Sequence, residues 1–207
     1  PEYKERFPHE YRGPFCDWPD YRPVNDTDSP EFIDHMRKQY ASLLQMCDEN
    51  LGRILDAMDQ YGLWEDTMLI VNTDHGFLLA EHGQWAKCHC PFYSEVAHIP
   101  LFVWDPRTGK KGIRTNCLVQ TIDLPATLLE YFGEPLPGDM EGKPLRPVLE
   151  KDEPIREGGL FGIFGGQICC TDGSWVYMRS PLPGNRPRCE YTLMPMRHGG
   201  RRAFINN

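Results

Sequence analysis

The chain has 207 residues, 40% hydrophobic and 25% charged, with a formal net charge of −8. That size suits one large domain or a domain with a small appendage, and the apolar content supports a folded core over disorder. The acidic balance excludes nucleic acid as partner, because no face gathers Lys and Arg, and no apolar run approaches the roughly 20 residues that span a membrane.

Residues 1–28 are rich in Pro, Tyr, Asp and Arg without periodicity, and read as an irregular lead-in laid over something else. The opening Pro1-Glu2-Tyr3-Lys4-Glu5 has no initiator Met and no apolar signal core, which implies processing or a piece of a longer chain. Asp28-Ser29-Pro30-Glu31 then carries helix-start chemistry, with Asp28 as the expected cap and Glu31 completing a capping box. Apolar positions at Phe32, Met36, Tyr40, Leu43, Cys47, Leu51, Ile54 and Met58 recur in steps of three and four. This spacing predicts one face of a long amphipathic helix, stopped by Gly62 and packed on a sheet.

The nearly continuous apolar run from Thr67 to Asn72 predicts a strand buried on both faces and hence parallel. A glycine-punctuated loop from Gly76 to Lys87 follows, then a helical stretch near Phe92–Ala97 and a strand after Pro100, Leu101 to Trp104. Asp105-Pro106-Arg107-Thr108-Gly109 reads as a surface turn. Asp123 caps a helix through Leu124, Leu128, Leu129 and Phe132, ended by Gly133. Strands alternating with helices define an α/β layer.

After residue 150 short strands over 160–164, 167–171 and 174–179 are joined by Gly165-Gly166 and Asp172-Gly173, read as two-residue turns. An antiparallel meander follows, so residues 151–207 form a second, incomplete β subdomain beside the α/β portion over 1–150. Arg197, His198, Arg201 and Arg202 read as a solvated basic tail. The eight cysteines, at 16, 47, 88, 90, 117, 169, 170 and 189, show no repeating spacing. Buried free thiols are the expected state, which leans towards a reducing, cytoplasmic compartment.

Chemistry concentrates where the first strand ends. Asp74 and His75 set a carboxylate oxygen beside an imidazole nitrogen, a pair suited to Ca²⁺, Mn²⁺ or Zn²⁺; the alternative is a capping Asp next to an ordinary polar His. Lys87 can neutralise a tetrahedral oxyanion, or stand as solvated surface. His82 is a proton donor, a partner to a group that touches substrate, or only a hydrogen-bonding loop residue. Cys88-His89-Cys90 lacks zinc-ligand spacing and no second pair completes it.

The run Tyr40-Ala41-Ser42-Leu43-Leu44 through Asp48-Glu49-Asn50-Leu51-Gly52-Arg53-Ile54-Leu55-Asp56-Ala57-Met58 resembles the long helix of the sulfatases. As there, it is followed by G-L-x-x-D-T, T-D-H-G, E-H-G-x-W-x-K and P-F-Y-S-E-x-x-x-I-P-L. Asp123-Leu124-Pro125-Ala126-Thr127-Leu128-Leu129 is similar to the family's D-L-x-P-T-L-L helix, and Gly142-Lys143-Pro144-Leu145 to the G-x-x-L after it. The likeness is dense over residues 38–150, looser in the D-G-x-W-V-Y-M-R hairpin, and specific through the order of its motifs.

The resemblance implies part of an alkaline-phosphatase-like α/β sandwich that hydrolyses small sulfuric esters. It implies a divalent metal, most often Ca²⁺, held by two early acidic residues and by a later pair matched here by Asp74 and His75. Lys87 matches the lysine that contacts sulfate. It also implies a formylglycine nucleophile made from a C-x-P-x-R motif. Cys16-Asp17-Trp18-Pro19-Asp20-Tyr21-Arg22 and Cys88-His89-Cys90-Pro91 misplace Pro and Arg relative to that motif. Phe7-Pro8-His9 lies in the irregular lead-in and does not match the family's P-H-x-P element. The expectation is therefore the carboxyl-terminal part of a sulfatase, inactive alone, with the formylglycine in an amino-terminal part. A phosphonate monoester or phosphate diester hydrolase of the same superfamily, and a silent module that keeps the fold, are the alternatives. A sheet edge lacking its neighbours is expected to favour self-association.

Overall fold

Helix α1, Pro30–Tyr61, begins on Ser29, whose hydroxyl accepts the Phe32 N–H at 3.2 Å. The computed structural model describes residues 21–88, 90–163 and 165–184. The expected cap, Asp28, is one residue too early for that bond and turns inward instead. Its carboxylate takes a two-pronged bond from Arg22 at 2.6 and 2.7 Å, the Asn25 N–H at 2.9 Å and the Trp85 indole N–H at 3.0 Å. Gly62, at φ 65°, closes the helix in the left-handed conformation that favours glycine.

The apolar stripe of α1 is only partly covered by the described residues. Met36 and Met58 are buried, whereas Cys47 and Ile54 are exposed. Gln39 and Ser42 are buried in their company, with the Ser42 hydroxyl returned to the Lys38 carbonyl at 2.9 Å.

Strands β1 (Leu69–Asn72) and β4 (Leu101–Trp104) pair antiparallel, with Leu69 opposite Trp104 and Asn72 opposite Leu101. The apolar run predicted a parallel strand buried on both faces, and the structure corrects this. A parallel return needs a crossover element that carries the chain back along the sheet. Among the described residues between these strands the only α-helix, α2 (Ser94–Ala97), has four residues, so the chain re-enters where it left. Neither strand is fully buried, and Phe102 is 67% exposed. The Trp104 indole donates to the Trp64 carbonyl at 3.0 Å and packs edge-on against that ring, tying the pair to the end of α1.

The predicted loop over Gly76–Lys87 contains a hairpin, β2 (Leu78–Leu79) with β3 (Trp85–Ala86), whose tip is a 3₁₀ turn, Glu81–Gly83. Leu78, Trp85 and Ala86 are buried. The lead-in lies along it: Val24 donates to the Gly83 carbonyl at 2.9 Å, and Trp85 to the Arg22 carbonyl at 3.0 Å. Strands of two residues are too short to show periodicity, which is why this hairpin reads as loop.

Helix α3 (Asp123–Tyr131) and helix α4 (Arg146–Lys151) are joined through a buried polar node. Asp123 is the first helical residue, not the cap. Its carboxylate accepts the Gln120 N–H at 2.7 Å and the Lys143 N–H at 2.8 Å, and pairs with Arg156. The Thr127 hydroxyl donates to the Asp123 carbonyl at 2.7 Å and accepts the Leu145 N–H at 3.0 Å.

Strands β5 (Gly159–Gly162), β6 (Ile168–Thr171) and β7 (Val176–Arg179) form the expected antiparallel meander in chain order. Their connections, over residues 163–167 and 172–175, are longer than the two-residue turns predicted. Asp172 is responsible for the second: its carboxylate accepts the N–H groups of Ser174 and Trp175, both at 2.8 Å.

Cys47 and Cys88 are exposed, against the expectation of burial, while Cys169 is buried and that burial pushes its thiol up. Among the described residues no helix is long and apolar enough to cross a membrane. The lead-in up to residue 20 with Cys16, His89, Cys189 and the basic end lie outside the described residues.

Candidate active site

At Asn72 the β1 ladder ends and the chain turns through Thr73 and Asp74 to His75. The Asp74 carboxylate accepts the His75 N–H at 3.0 Å, and its other oxygen stands 3.0 Å from His75 Nε2. His75 Nδ1 lies 3.0 Å from the Gly76 carbonyl. With Nδ1 assigned as the donor there, Nε2 keeps its lone pair for the site. Lys87, immediately after β3, brings its ammonium into contact with that same Nε2. Three of the four residues singled out in the sequence thus meet at the end of one strand.

Partial desolvation pushes the Asp74 carboxyl up, but His75, the backbone N–H groups and Lys87 outweigh it and hold the acid below its ordinary range. Asp74 is therefore an anion at neutral pH, open to solvent.

His82 sits at the hairpin tip, away from these bonds. Its Nε2 lies 3.1 Å from each carboxylate oxygen of Glu95, and its ring stacks on Tyr93 with centroids 3.8 Å apart and planes 13° from parallel. The Glu95 carboxyl is lowered by its own backbone N–H and by His82, against partial desolvation.

Gly76 is demanded by space. A β-carbon there would lie 1.7 Å from the Glu95 carbonyl oxygen, and the Gly76 N–H donates to the Val96 carbonyl at 2.8 Å. The hairpin that follows is held in unusual backbone: Ala80, His82, Ala86 and Cys88 all have positive φ, between 55° and 76°. Non-glycine residues adopt that region only where surrounding contacts over-determine it, and two of the four flank Lys87.

The donor chemistry fits a divalent cation in part. A carboxylate oxygen and an imidazole nitrogen 3.0 Å apart have the spacing of neighbouring ligands on an ion with bonds of roughly 2.0–2.6 Å. Among the described residues, however, no group of three or more His, Cys, Asp or Glu side chains converges on one point. Asp74 and His75 offer two donors, fewer than a coordination shell requires. Glu95, Tyr93 and the steric role of Gly76 were missed in the sequence, because each is defined by a neighbour that only folding brings near.

The arrangement is that of the alkaline-phosphatase-like fold. The structure superposes on the phosphonate monoester hydrolase of Silicibacter pomeroyi with a TM-score of 0.68, at 23% identity over 76% of this chain and 34% of that one. The sulfatase family model matches residues 1–134, and the chain belongs to the sulfatase family. It is similar to N-acetylglucosamine-6-O-sulfatase of Bacteroides thetaiotaomicron, 32% identical over 122 residues, 59% of this chain and 21% of that protein. Human arylsulfatase K is 34% identical over 116 residues, 56% of this chain and 21% of that protein. The chain thus matches about a fifth of the length of these curated relatives.

Proposed function

We propose that the full natural polypeptide containing this sequence is a metal-dependent sulfuric-ester hydrolase, and that this chain supplies part of its cation site and its sulfate clamp. The observation that carries the reading is the meeting of Asp74, His75 and Lys87 around His75 Nε2 at the end of β1. Membership of the sulfatase family supports it.

Asp74 contributes an ionised oxygen and His75 its Nε2 lone pair to a divalent cation, Ca²⁺ first, with Mn²⁺ and Zn²⁺ as alternatives. Acidic residues beyond the described ones complete the shell. A divalent cation bound there by Asp74 and His75 would supply Lewis-acid polarisation of the sulfate oxygens. Lys87 places a full positive charge where the tetrahedral group gathers negative charge, and it needs no reorganisation to do so. His82 supports this arrangement from the hairpin tip. None of the eight cysteines opens the C-x-P-x-R motif from which the family makes its formylglycine nucleophile, so the 207-residue chain alone is expected not to turn over. The substrate is a small sulfate ester.

A second reading, a phosphonate monoester or phosphodiester hydrolase, is favoured by the structural likeness to the Silicibacter pomeroyi enzyme, since both esters present similar tetrahedral oxygens. Paired assays of the full polypeptide on an aryl sulfate and an aryl phosphonate monoester, each with and without chelator, separate the two. Faster chelator-sensitive turnover of the sulfate supports the proposal; preference for the phosphonate replaces it. No turnover of either, with cation binding unaffected by Asp74→Ala and His75→Ala, leaves a silent module.

A further inference from the structure

Lys87 and His75 stand on different pieces of chain, one after a hairpin and one after a strand, and their meeting has to be enforced. Helix α2 enforces it at two adjacent residues. The Glu95 carbonyl and Val96 receive the strand end: Gly76 lies flush against Glu95 O and donates to Val96 O at 2.8 Å. The Glu95 side chain receives the hairpin tip, through both oxygens on His82 Nε2 at 3.1 Å. Tyr93, just before the helix, supports the same imidazole by stacking at 3.8 Å.

The hairpin itself is poorly suited to hold its shape unaided. Its strands have two residues each, and its tip keeps Ala80 and His82 in left-handed backbone. The lead-in and the Trp85–Asp28 bond fasten its strand side, and Arg37 of α1 reaches the Leu79 carbonyl at 3.0 Å and Glu81 at 3.1 Å, which leaves its orientation towards α2 to be set. Among the described contacts, the tip's side-chain link to α2 is His82–Glu95.

Resting on the role given above to Lys87, we infer that Glu95 is a positioning residue for the sulfate clamp. Through His82 it fixes the tip of the hairpin to the same short helix that seats the Asp74–His75 turn, and so sets Lys87 against His75. His82 and Glu95 touch neither substrate nor cation; they act through Lys87. Both side chains are about two-fifths exposed, so the pair is screened and its effect is moderate.

The test uses the full natural polypeptide with an aryl sulfate, and titration of Ca²⁺ by calorimetry. Glu95→Ala is expected to lower kcat/KM roughly 3- to 10-fold, mostly in kcat, with Ca²⁺ affinity not lowered and the thermal midpoint little changed. In a Lys87→Ala background the same substitution is expected to have no further effect, since a misplaced lysine no longer matters. Glu95→Gln, which keeps the acceptor oxygen and the side-chain shape, is expected to recover most of the loss. If the alanine variant at 95 does not fold, His82→Asn, which removes the same link from the hairpin side, carries the double-variant comparison. A loss that persists undiminished without Lys87, or no loss at all, overturns the inference. Full activity of Lys87→Ala by itself instead sinks the reading of the site on which this one rests.

Discussion

The indole N–H of Trp85 donates to the carboxylate of Asp28 at 3.0 Å, joining residues 57 apart in the chain. Trp85 is 1% exposed and lies two positions before Lys87, so this bond ties the start of α1 to the hairpin that leads into Lys87. Asp28 is in turn gripped by Arg22, which brings the lead-in into the same node.

Removing the Asp28 side chain strands three donors, the Asn25 N–H, the Trp85 indole and a guanidinium that is 28% exposed. Because Arg22 keeps some water, Asp28→Ala is expected to destabilise the chain by about 2 kcal/mol, below the range for a fully buried pair. The midpoint of a urea unfolding curve at pH 7 measures it. An unshifted midpoint would show that Trp85 and Arg22 find other partners.

The same node predicts a pH dependence. Arg22, above all, holds the Asp28 carboxyl well below the usual carboxylate range, against the upward push of burial. The folded state therefore keeps the proton off at a pH where the unfolded chain takes it up. That contribution is fully present above the unfolded value, about 3.9, and is lost as pH falls through the folded one. Urea midpoints from pH 6 down to pH 2.5 should fall more steeply for the wild type than for Asp28→Asn, which has no such proton to gain. Parallel curves would remove Asp28 from the acid limb.

Gly76→Ala should be severe, although the substitution adds one methyl group. Its β-carbon would meet backbone, the Glu95 carbonyl at 1.7 Å, and no rotamer change relieves that contact. Either the Gly76–Val96 bond breaks or α2 shifts, and each moves His75 relative to Lys87. Ca²⁺ affinity of the full polypeptide is expected to fall roughly 10-fold or more, and aryl sulfate turnover with it. Wild-type affinity in the alanine variant would show that the turn tolerates displacement.

Long-period features were legible from the residues. Helix α1 follows from its spacing and from Gly62, and the meander from its turn residues, because each is set by local backbone preference. Asp74, His75 and Lys87 were legible as candidates because a carboxylate, an imidazole and an ammonium mean something wherever they stand. What escaped was set by neighbours distant in sequence. Asp28 left its expected capping role for Arg22 and Trp85, β1 paired antiparallel because α2 is too short to carry the chain back along the sheet, and Gly76 is fixed by a carbonyl nineteen residues on. None of these partners has a local signature. Glu95 belongs with them, since only the folded chain puts it under His82.

The two-stranded sheet of β1 and β4 is expected to make the isolated 207-residue chain self-associate. Among the described residues each strand has one paired edge, and the free edges present backbone donors and acceptors to solvent. Phe102, 67% exposed on β4, adds an apolar surface. Sedimentation velocity at rising concentration should show species heavier than the monomer, and Phe102→Lys should reduce them without lowering the urea midpoint. A chain that stays monomeric throughout would mean the edges are covered from elsewhere in the sequence.

Substitution of Lys87 separates its two possible influences by sign. As a clamp on the sulfate it stabilises developing negative charge, so Lys87→Ala should lower kcat/KM of the full polypeptide roughly 10²- to 10³-fold. As a cation beside His75 Nε2 it opposes any second cation at that nitrogen. The same substitution should therefore raise Ca²⁺ affinity while activity falls, whereas Asp74→Ala and His75→Ala should lower both. Lys87→Arg keeps the charge but spreads it over a larger plane, and should restore only part of the rate while returning Ca²⁺ affinity towards wild type. Calorimetric Ca²⁺ titrations set beside initial rates decide the matter. Affinity and activity falling together in Lys87→Ala would make the lysine a support for the fold of the site and not a clamp on its substrate.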